Sequence, residues 1–436
     1  MQREPLIFVG TCDLAGIVRG KGFPAADLPA RLRNGVGLTH SNIMMSAFGP
    51  IYDTPFGTQG DLVLLPDPST KVEVEFGDDA AERFYLADIM TLDGNNWECC
   101  PRHFLRRALA ALEAEAGLTL LAAFEQEFVY DGVEDRPGAT YALDAWRRQG
   151  SFGEAYMAAL RLAGLTPDSF LPEYGARQYE VTLHPTRGLR VADEAVIQRE
   201  MARAVAHRLG QRAIFAPILD PDGVGNGTHI HFSLRDRADR PVLYDPARPY
   251  RLSPVGEQFA AGILHHLPAL TAVTAPSAAS YFRRRPNRWA PTWANLARQD
   301  RGASLRVCPI FAPAAEDAAH QFNLEYRVAD AAASPYMALG ALVHAGVDGI
   351  RRKLALPAMP AGDFWAMSET EREAAGVPAL PRSLDEALDR LAATEAAREW
   401  FGERFLDVYL RFKRAELRAL EGLRPLDICA RYAEVY

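Results

Sequence analysis

Four strand-length stretches share one pattern, with ionisable side chains on one face and apolar side chains on the other. The first is Leu118 to Tyr130, which contains Phe124-Glu-Gln-Glu-Phe128. Gly117 ends a helical pattern before it and Asp131-Gly132 makes a turn after it, so the apolar run has the length of a strand. Residues two apart in a strand face the same side, which places Glu125 and Glu127 together and Phe124 and Phe128 opposite them. Two carboxylates roughly 7 Å apart on a buried strand repel each other and cost desolvation, so a positive partner is expected over them.

The same alternation recurs three times. Arg177 to Leu183 puts Gln178, Glu180 and Thr182 on one face, with Glu173 seven residues before Glu180. Thr228 to Leu234 puts His229, His231 and Ser233 on one face and Ile230, Phe232 and Leu234 on the other. Asn323 to Val328 does so with Glu325 and Arg327 against Leu324, Tyr326 and Val328. Any one of these alone reads more readily as an edge or half-exposed strand than as a site. Four together favour one sheet whose concave face is a charged pocket.

The rest of the chain frames that sheet. Residues 5–12 and 17–23 read as a hairpin about Asp13-Leu-Ala-Gly16, and 60–70 and 71–92 supply further strand. A small, mainly β unit over residues 1–100 is therefore expected, followed by a larger unit over 101–436. Pro101 to Ala116 is an amphipathic helix with Pro at its start and Gly117 at its stop. Helical patterns follow at 152–163, 192–209, 255–270, 383–391 and 400–420, and Ala279 to Pro291 reads as a basic, proline-interrupted loop. The fold class is α+β.

With 436 residues, a formal charge of −8, 48% hydrophobic and 24% charged residues, the composition is that of a globular protein with room for a large core. Its mild acidity gives no sign of nucleic-acid or membrane binding, and no apolar run reaches membrane-spanning length. Five cysteines without disulfide or metal spacing suit a reducing cytoplasm, and Cys99-Cys100 reads as a pair of packed small residues.

Five carboxylates (Glu125, Glu127, Glu173, Glu180, Glu325) and the imidazole of His229 suit hard divalent ions, Mg²⁺ or Mn²⁺, better than zinc. No cysteine stands among them. The basic segments 279–291 and 298–306 are either solvated surface arginines or a cluster for phosphate or carboxylate, and the acidic strands favour the cluster. With Arg283, Arg301, Arg306 and Arg327 beside an acidic bed, phosphoryl transfer is the chemistry in view. There is no Gly-x-x-x-x-Gly-Lys-Ser/Thr loop.

In order and spacing these stretches resemble the glutamine synthetase family, including its γ-glutamylpolyamine synthetase relatives, over nearly the whole chain. Phe124 to Phe128 resembles its first metal strand, and Glu173-Tyr-Gly-Ala-Arg-Gln-Tyr-Glu180 its second acidic motif. Gly225-Asn-Gly-Thr-His-Ile-His-Phe-Ser-Leu234 resembles its histidine motif. Ser280-Tyr-Phe-Arg283 through Pro291, and Asp300 to Arg306, resemble its substrate and phosphate loops, and Leu324 to Arg327 its last metal strand. Cys12 to Lys21 and Pro381 to Leu388 fit its terminal signatures.

The resemblance implies a β-grasp-like N-terminal domain and a catalytic domain with a curved antiparallel sheet and flanking helices. It implies ATP as substrate with two or three Mg²⁺ or Mn²⁺ per site. One ion would be held by Glu127, Glu173 and Glu180 and another by Glu125, His229 and Glu325. His231 and Ser233 would lie near the nucleotide, with Arg306 and Arg301. Arg283, Gly225 and Arg306 would meet the acid substrate, and Arg301, Arg306 and Arg327 the transferring phosphate. Stacked rings are implied, a dodecamer in expectation, with sites between subunits. The implied reaction activates a carboxylate as an acyl phosphate, which an amine then displaces.

Three positions depart from the ammonia-using pattern. Trp289 stands where the family carries a flap glutamate, Val224 where an asparagine is usual and Asn323 where an arginine is usual. Trp cannot act as a base, but it offers an apolar wall. The expectation is a ligase joining glutamate, or a related acid, to an amine larger than ammonia. Glutamine synthesis from ammonia, a non-catalytic ring-forming homologue and a kinase that stops at the phosphorylated acid are the alternatives. Residues 361–380 hold no tyrosine, which excludes adenylylation there.

Overall fold

A computed structural model describes residues 3–57, 60–77, 80–286, 288–311, 316–360 and 364–436. Residues 78–79, 287 and 361–363, which fall inside stretches read above, lie outside the described residues. The N-terminal sheet contains β1 (Leu6–Cys12), β2 (Val18–Pro24), β3 (Val36–Thr39), β4 (Asp61–Pro66), β5 (Val72–Val74) and β6 (Glu82–Met90). Their order is β2-β1-β6-β4-β3, with β5 also on β6, and β1 runs parallel to β6 at the centre. The hairpin turn falls where the sequence puts it. Asp13 Oδ1 accepts from the backbone N–H groups of Ala15 and Ile17, and Gly16 takes the left-handed conformation (φ 76°).

The helix Pro101–Ala116 leads into the second sheet and stops at Gly117 (φ 65°). Cys99 and Cys100 are both packed in the core, as the sequence suggests, and the Cys100 sulfur also caps this helix by accepting from the backbone N–H of His103, 3.5 Å away. The large sheet holds β7 (Thr119–Tyr130), β8 (Pro167–Pro172), β9 (Gln178–Leu183), β10 (Thr186–Arg187), β11 (Ala213–Ile214), β12 (Thr228–Arg235), β13 (Leu296–Arg298), β14 (Leu305–Val307) and β15 (Leu324–Tyr326). The main path is β13-β14-β15-β12-β7-β9-β8, antiparallel apart from the β13/β14 pair.

One face of this sheet is core. Phe124, Phe128, Val181, Ile230 and Phe232 are buried behind it, and the helix Arg190–Arg208 packs there. Gln126 also points to that side and is satisfied by Ala195 O (3.0 Å) and Gln198 Oε1 (2.8 Å). The helices Pro254–Thr274 and Pro335–Arg352 cross where Gly262 and Gly349 leave no room for a Cβ on either. Two sequence expectations are corrected. The 279–291 segment is not all loop, because Ser280–Arg283 forms a helical turn that carries Arg283 inward. The 400–420 helix is two, Glu395–Phe401 and Glu403–Arg418, broken at Gly402 (φ 80°).

Candidate active site

The other face of the large sheet gathers the ionisable residues by register. Glu127 on β7 stands opposite Glu180 on β9, and Glu125 stands opposite His229 on β12. His231 on β12 pairs with Glu325 on β15, which in turn pairs with Arg306 on β14. Directly opposed residues on one face bring their Cβ atoms to about 5 Å, so five neighbouring strands concentrate these groups without any loop.

The contacts follow. His229 Nδ1 lies 2.8 Å from Glu125 Oε1 and 3.5 Å from Glu325 Oε1. His231 Nε2 lies 3.4 Å from Glu125 Oε2 and 3.8 Å from Glu325 Oε1. Glu127 Oε2 accepts from Gly227 N (2.7 Å) and Gln178 Nε2 (3.0 Å). Glu325 is fully buried under Arg306 and Arg327, both of which bond it directly.

Protonation tendencies differ across the bed. Burial pushes the Glu180 carboxyl up, and neighbouring Glu125 and Glu127 push it further, to about 11. Burial and then Glu127 also raise Glu173. Burial works against ionised Glu125 too, yet the neighbouring imidazoles of His229 and His231 outweigh it and hold this group well below the usual carboxylate range. Burial is likewise outweighed at Glu325 by His229 and Arg327, which keep it ionised.

A cleft of about 620 Å³ opens over this floor. Glu125, Glu127, Glu173, Glu180, Gly225, His229, Arg283, Trp289, Arg301, Arg306 and Arg327 all border it, so eleven of the fourteen residues singled out from sequence converge there. Glu325 lies beneath it. His231 and Ser233 line a second cavity of about 250 Å³ instead, and Glu125 borders both spaces. Gly225 and Gly227 are glycines because the site is tight. A Cβ at Gly225 would come within 2.6 Å of Arg283 Cγ, and one at Gly227 within 2.7 Å of the Arg283 guanidinium and 2.9 Å of His229 Nε2.

The donor set fits divalent cations. Glu125, Glu180 and His229 present donor atoms within 4.8 Å of one another, and so do Glu125, His231 and Glu325. These groupings differ from the expected ligand sets by bringing in His231, whose buried Nε2 makes no hydrogen bond, and by joining Glu180 to Glu125. Mutually repelling carboxylates with an unsatisfied imidazole nitrogen are what a hard cation would relieve.

Three contributors escaped the sequence reading. Cys308 does reach the site: its Sγ lies 3.7 Å from His231 Nδ1 and 4.0 Å from Glu325 Oε2. The signal was its spacing of two from Arg306. Tyr141, on a loop, donates from its hydroxyl to Glu173 Oε2 at 3.0 Å. Tyr174 meets Trp289 edge to face with ring centroids 4.5 Å apart. No local pattern marks either tyrosine.

Comparison with known proteins places the chain. The family model described as the glutamine synthetase N-terminal domain matches residues 1–97, and that for the glutamine synthetase catalytic domain matches residues 98–427. The chain belongs to the glutamine synthetase family. It is an ATP-dependent ligase that forms C–N bonds. Gamma-glutamylpolyamine synthetase GlnA3 of Streptomyces coelicolor is 34% identical over 437 residues, covering 97% of this chain and 92% of the relative. Glutamine synthetase of Pyrococcus abyssi is 30% identical, covering 94% and 89%. A solved structure described as a novel glutamine synthase homolog superposes with a TM-score of 0.92 at 41% identity, covering 100% of this chain and 99% of the other. A GmaS/ADP complex gives 0.80 at 25% identity, covering 97% and 95%. The family generally acts on small molecules, uses ATP with divalent metals, and is oligomeric. Among the described residues, no helix is long and apolar enough to cross a membrane.

Proposed function

We propose that this ligase joins the γ-carboxylate of glutamate, or a related acid, to an amine larger than ammonia. The observation that carries the reading is the aromatic wall of Trp289 and Tyr174 over the cleft, with Val224 on its border and a tryptophan where ammonia-using relatives carry an acid. The name of the Streptomyces coelicolor relative points the same way.

In this reading Glu127, Glu173 and Glu180 hold one divalent ion and Glu125, His229 and Glu325 another, as Mg²⁺ or Mn²⁺. Bound there, the ions would neutralise phosphate oxygens. His231 and Ser233 face the nucleotide from the smaller cavity. Arg283, buried and held by its bond to Ala329 O (3.3 Å), orients the acid's free carboxylate beside Gly225. Arg301, Arg306 and Arg327 stabilise charge on the group in transfer, with Arg306 and Arg327 leaving Glu325 to do so. The acid's carboxylate oxygen attacks the γ-phosphorus and ADP departs. The amine nitrogen then attacks the acyl carbon, phosphate departs, and the amine's proton passes to a base other than Trp289. Division of the chain near residues 100 and 101, a cytoplasmic setting and a dodecamer of stacked rings with sites between subunits belong to the same reading.

The test is phosphate release from ATP with L-glutamate and Mg²⁺, with the product identified by mass. Release that requires both acid and amine is expected. ADP formation without any amine would convert the reading to a kinase, and release with ammonia alone would restore plain glutamine synthesis.

A further inference from the structure

Three arginines meet the transferring phosphate in the proposed reaction, and they are held in two ways. Arg306 lies on β14 and Arg327 follows β15, and both bond Glu325 with their guanidinium groups. Arg301 enters the cleft from the loop between β13 and β14, and what fixes it among the described residues is its backbone. Its carbonyl accepts from Arg327 Nε at 2.8 Å. Asp300, one residue before, accepts from the Gly302 N–H through Oδ1 at 2.8 Å, which closes the turn around Arg301. A displacement of this loop therefore displaces the guanidinium.

A second segment sits on that loop. Trp365, in the helical turn Phe364–Ala366, donates from its indole N–H to the other oxygen of Asp300, Oδ2, at 2.7 Å. Its ring lies so close over Gly302 that a Cβ there would come within 2.4 Å of the indole. Arg372, in the helix Glu369–Ala374, holds Trp365 in turn. It donates to the carbonyls of Phe364 and Trp365, both at 3.0 Å. Its guanidinium lies 5.3, 5.0 and 5.6 Å from the ring centroids of Trp293, Phe364 and Trp365. The far end of the loop is tied to the same group, because the Ser304 hydroxyl donates to Trp293 O. Backbone bonds from Ala294 N to Pro378 O and from Leu380 N to Thr292 O, both 2.9 Å, fasten the two segments side by side. Asp300 and Ser304 thus end on two tryptophans that share one arginine.

We infer that residues 364–380 clamp the phosphate loop and that Trp365 is a positioning residue for phosphoryl transfer, acting through Arg301. The inference rests on the assignment of Arg301 to the transferring phosphate. Trp365 does not itself border the cleft, so its effect on the reaction runs through the loop it holds. An arginine that stabilises charge in flight acts on the transition state more than on bound substrates, and a displacement of about 1 Å is enough to cost up to a hundredfold in rate. Loosening the clamp should therefore lower kcat and leave the KM for the acid and for the amine as they were.

The test is a double-mutant cycle on phosphate release, with L-glutamate, ATP and the fastest amine each varied in turn at saturating Mg²⁺. Trp365→Phe keeps a ring over Gly302 and removes the N–H that Asp300 accepts. It is expected to lower kcat about tenfold with both KM values unchanged. Arg301→Ala is expected to cost about a hundredfold, and Trp365→Phe added to it should cost nothing further, because two residues acting through one group are not additive. Gly302→Ala approaches the same contact from the loop and decides the matter if Trp365→Phe melts early. Alone it should cost about tenfold, and beside Trp365→Ala nothing more, since the smaller side chain leaves room for the methyl. An unchanged kcat in Trp365→Phe, or losses that multiply across Arg301→Ala, would overturn this inference and leave the ligase reading intact. Full activity in Arg301→Ala would overturn the assignment of Arg301 and the inference together. Silence of the parent with every amine would remove the glutamate ligase reading, and this inference with it.

Discussion

The floor and the rim of the cleft are built by different means. The floor lies on β7, β9, β12, β14 and β15, whose registers set Glu127 against Glu180, Glu125 against His229 and His231 against Glu325. The rim is loop, and two of its aromatic residues sit in the left-handed region, Tyr141 at φ 52° and Trp289 at φ 49°. Arg177, in the turn before β9, does the same at φ 55°. Regular strands hold charge at fixed spacing, whereas loops in sparsely populated conformations aim individual side chains. In the proposed function the shared chemistry belongs to the floor and the choice of amine to the rim.

Glu127→Ala is the strongest way to break that assignment. It is expected to lower kcat/KM by roughly a thousandfold or more with every amine alike, because it removes a proposed metal ligand and the acceptor of two hydrogen bonds. Activity retained at saturating Mg²⁺ would refute the floor's role. Gly227→Ala, which forces a methyl against Arg283 and His229, should cost about a hundredfold, again without regard to the amine. A loss confined to bulky amines would move Gly227 to the rim.

Glu180 offers a test without turnover. Its folded value of about 11, against an ordinary 4.5, means the folded protein holds a proton that the unfolded chain has released between those values. In protein stripped of divalent ions, its contribution is full below pH 4.5 and is lost as pH rises toward 11. The slope is about 1.4 kcal/mol per pH unit for one proton. Denaturant melts from pH 5 to 9 in EDTA should show a shallower decline for Glu180→Gln than for the parent. Equal slopes would mean Glu180 is ionised. Trp289→Ala, at the rim, should leave the slope unchanged.

The smallest effect is the most selective. Trp289→Glu should raise the ratio of ammonia to pentylamine turnover by about tenfold through the lost apolar contact and the new carboxylate. An unchanged ratio would demote Trp289 to packing against Tyr174.

How legible each region was follows from the same contrast. Period-two alternation placed Glu125, Glu127, Glu180, His229, His231 and Glu325 on the right faces, and the four strands that carry them do share one sheet. The alternation also carried Cys308, two residues beyond Arg306, although the sequence reading left cysteine out. Tyr141 lies 32 residues from the Glu173 it bonds, and Tyr174 lies 115 positions from Trp289 in the numbering, so no spacing rule links them. The helical turn at Ser280–Arg283 was hidden by the basic, proline-interrupted composition of 279–291, which reads as loop, although its arginines already read as a cluster for phosphate or carboxylate.

The sequence by itself determined the fold class, the four strands that carry the charged pattern and the side of each that bears charge, because side-chain direction in a strand is local and repeats every two residues. The tertiary structure alone decided that β12 lies between β7 and β15 and that Glu325 is covered by two arginines. It also decided that His231 and Ser233 open onto a cavity separate from the cleft. Those outcomes depend on which distant segments pair and how their loops close, and that is settled by burial over the whole molecule, which no local pattern records.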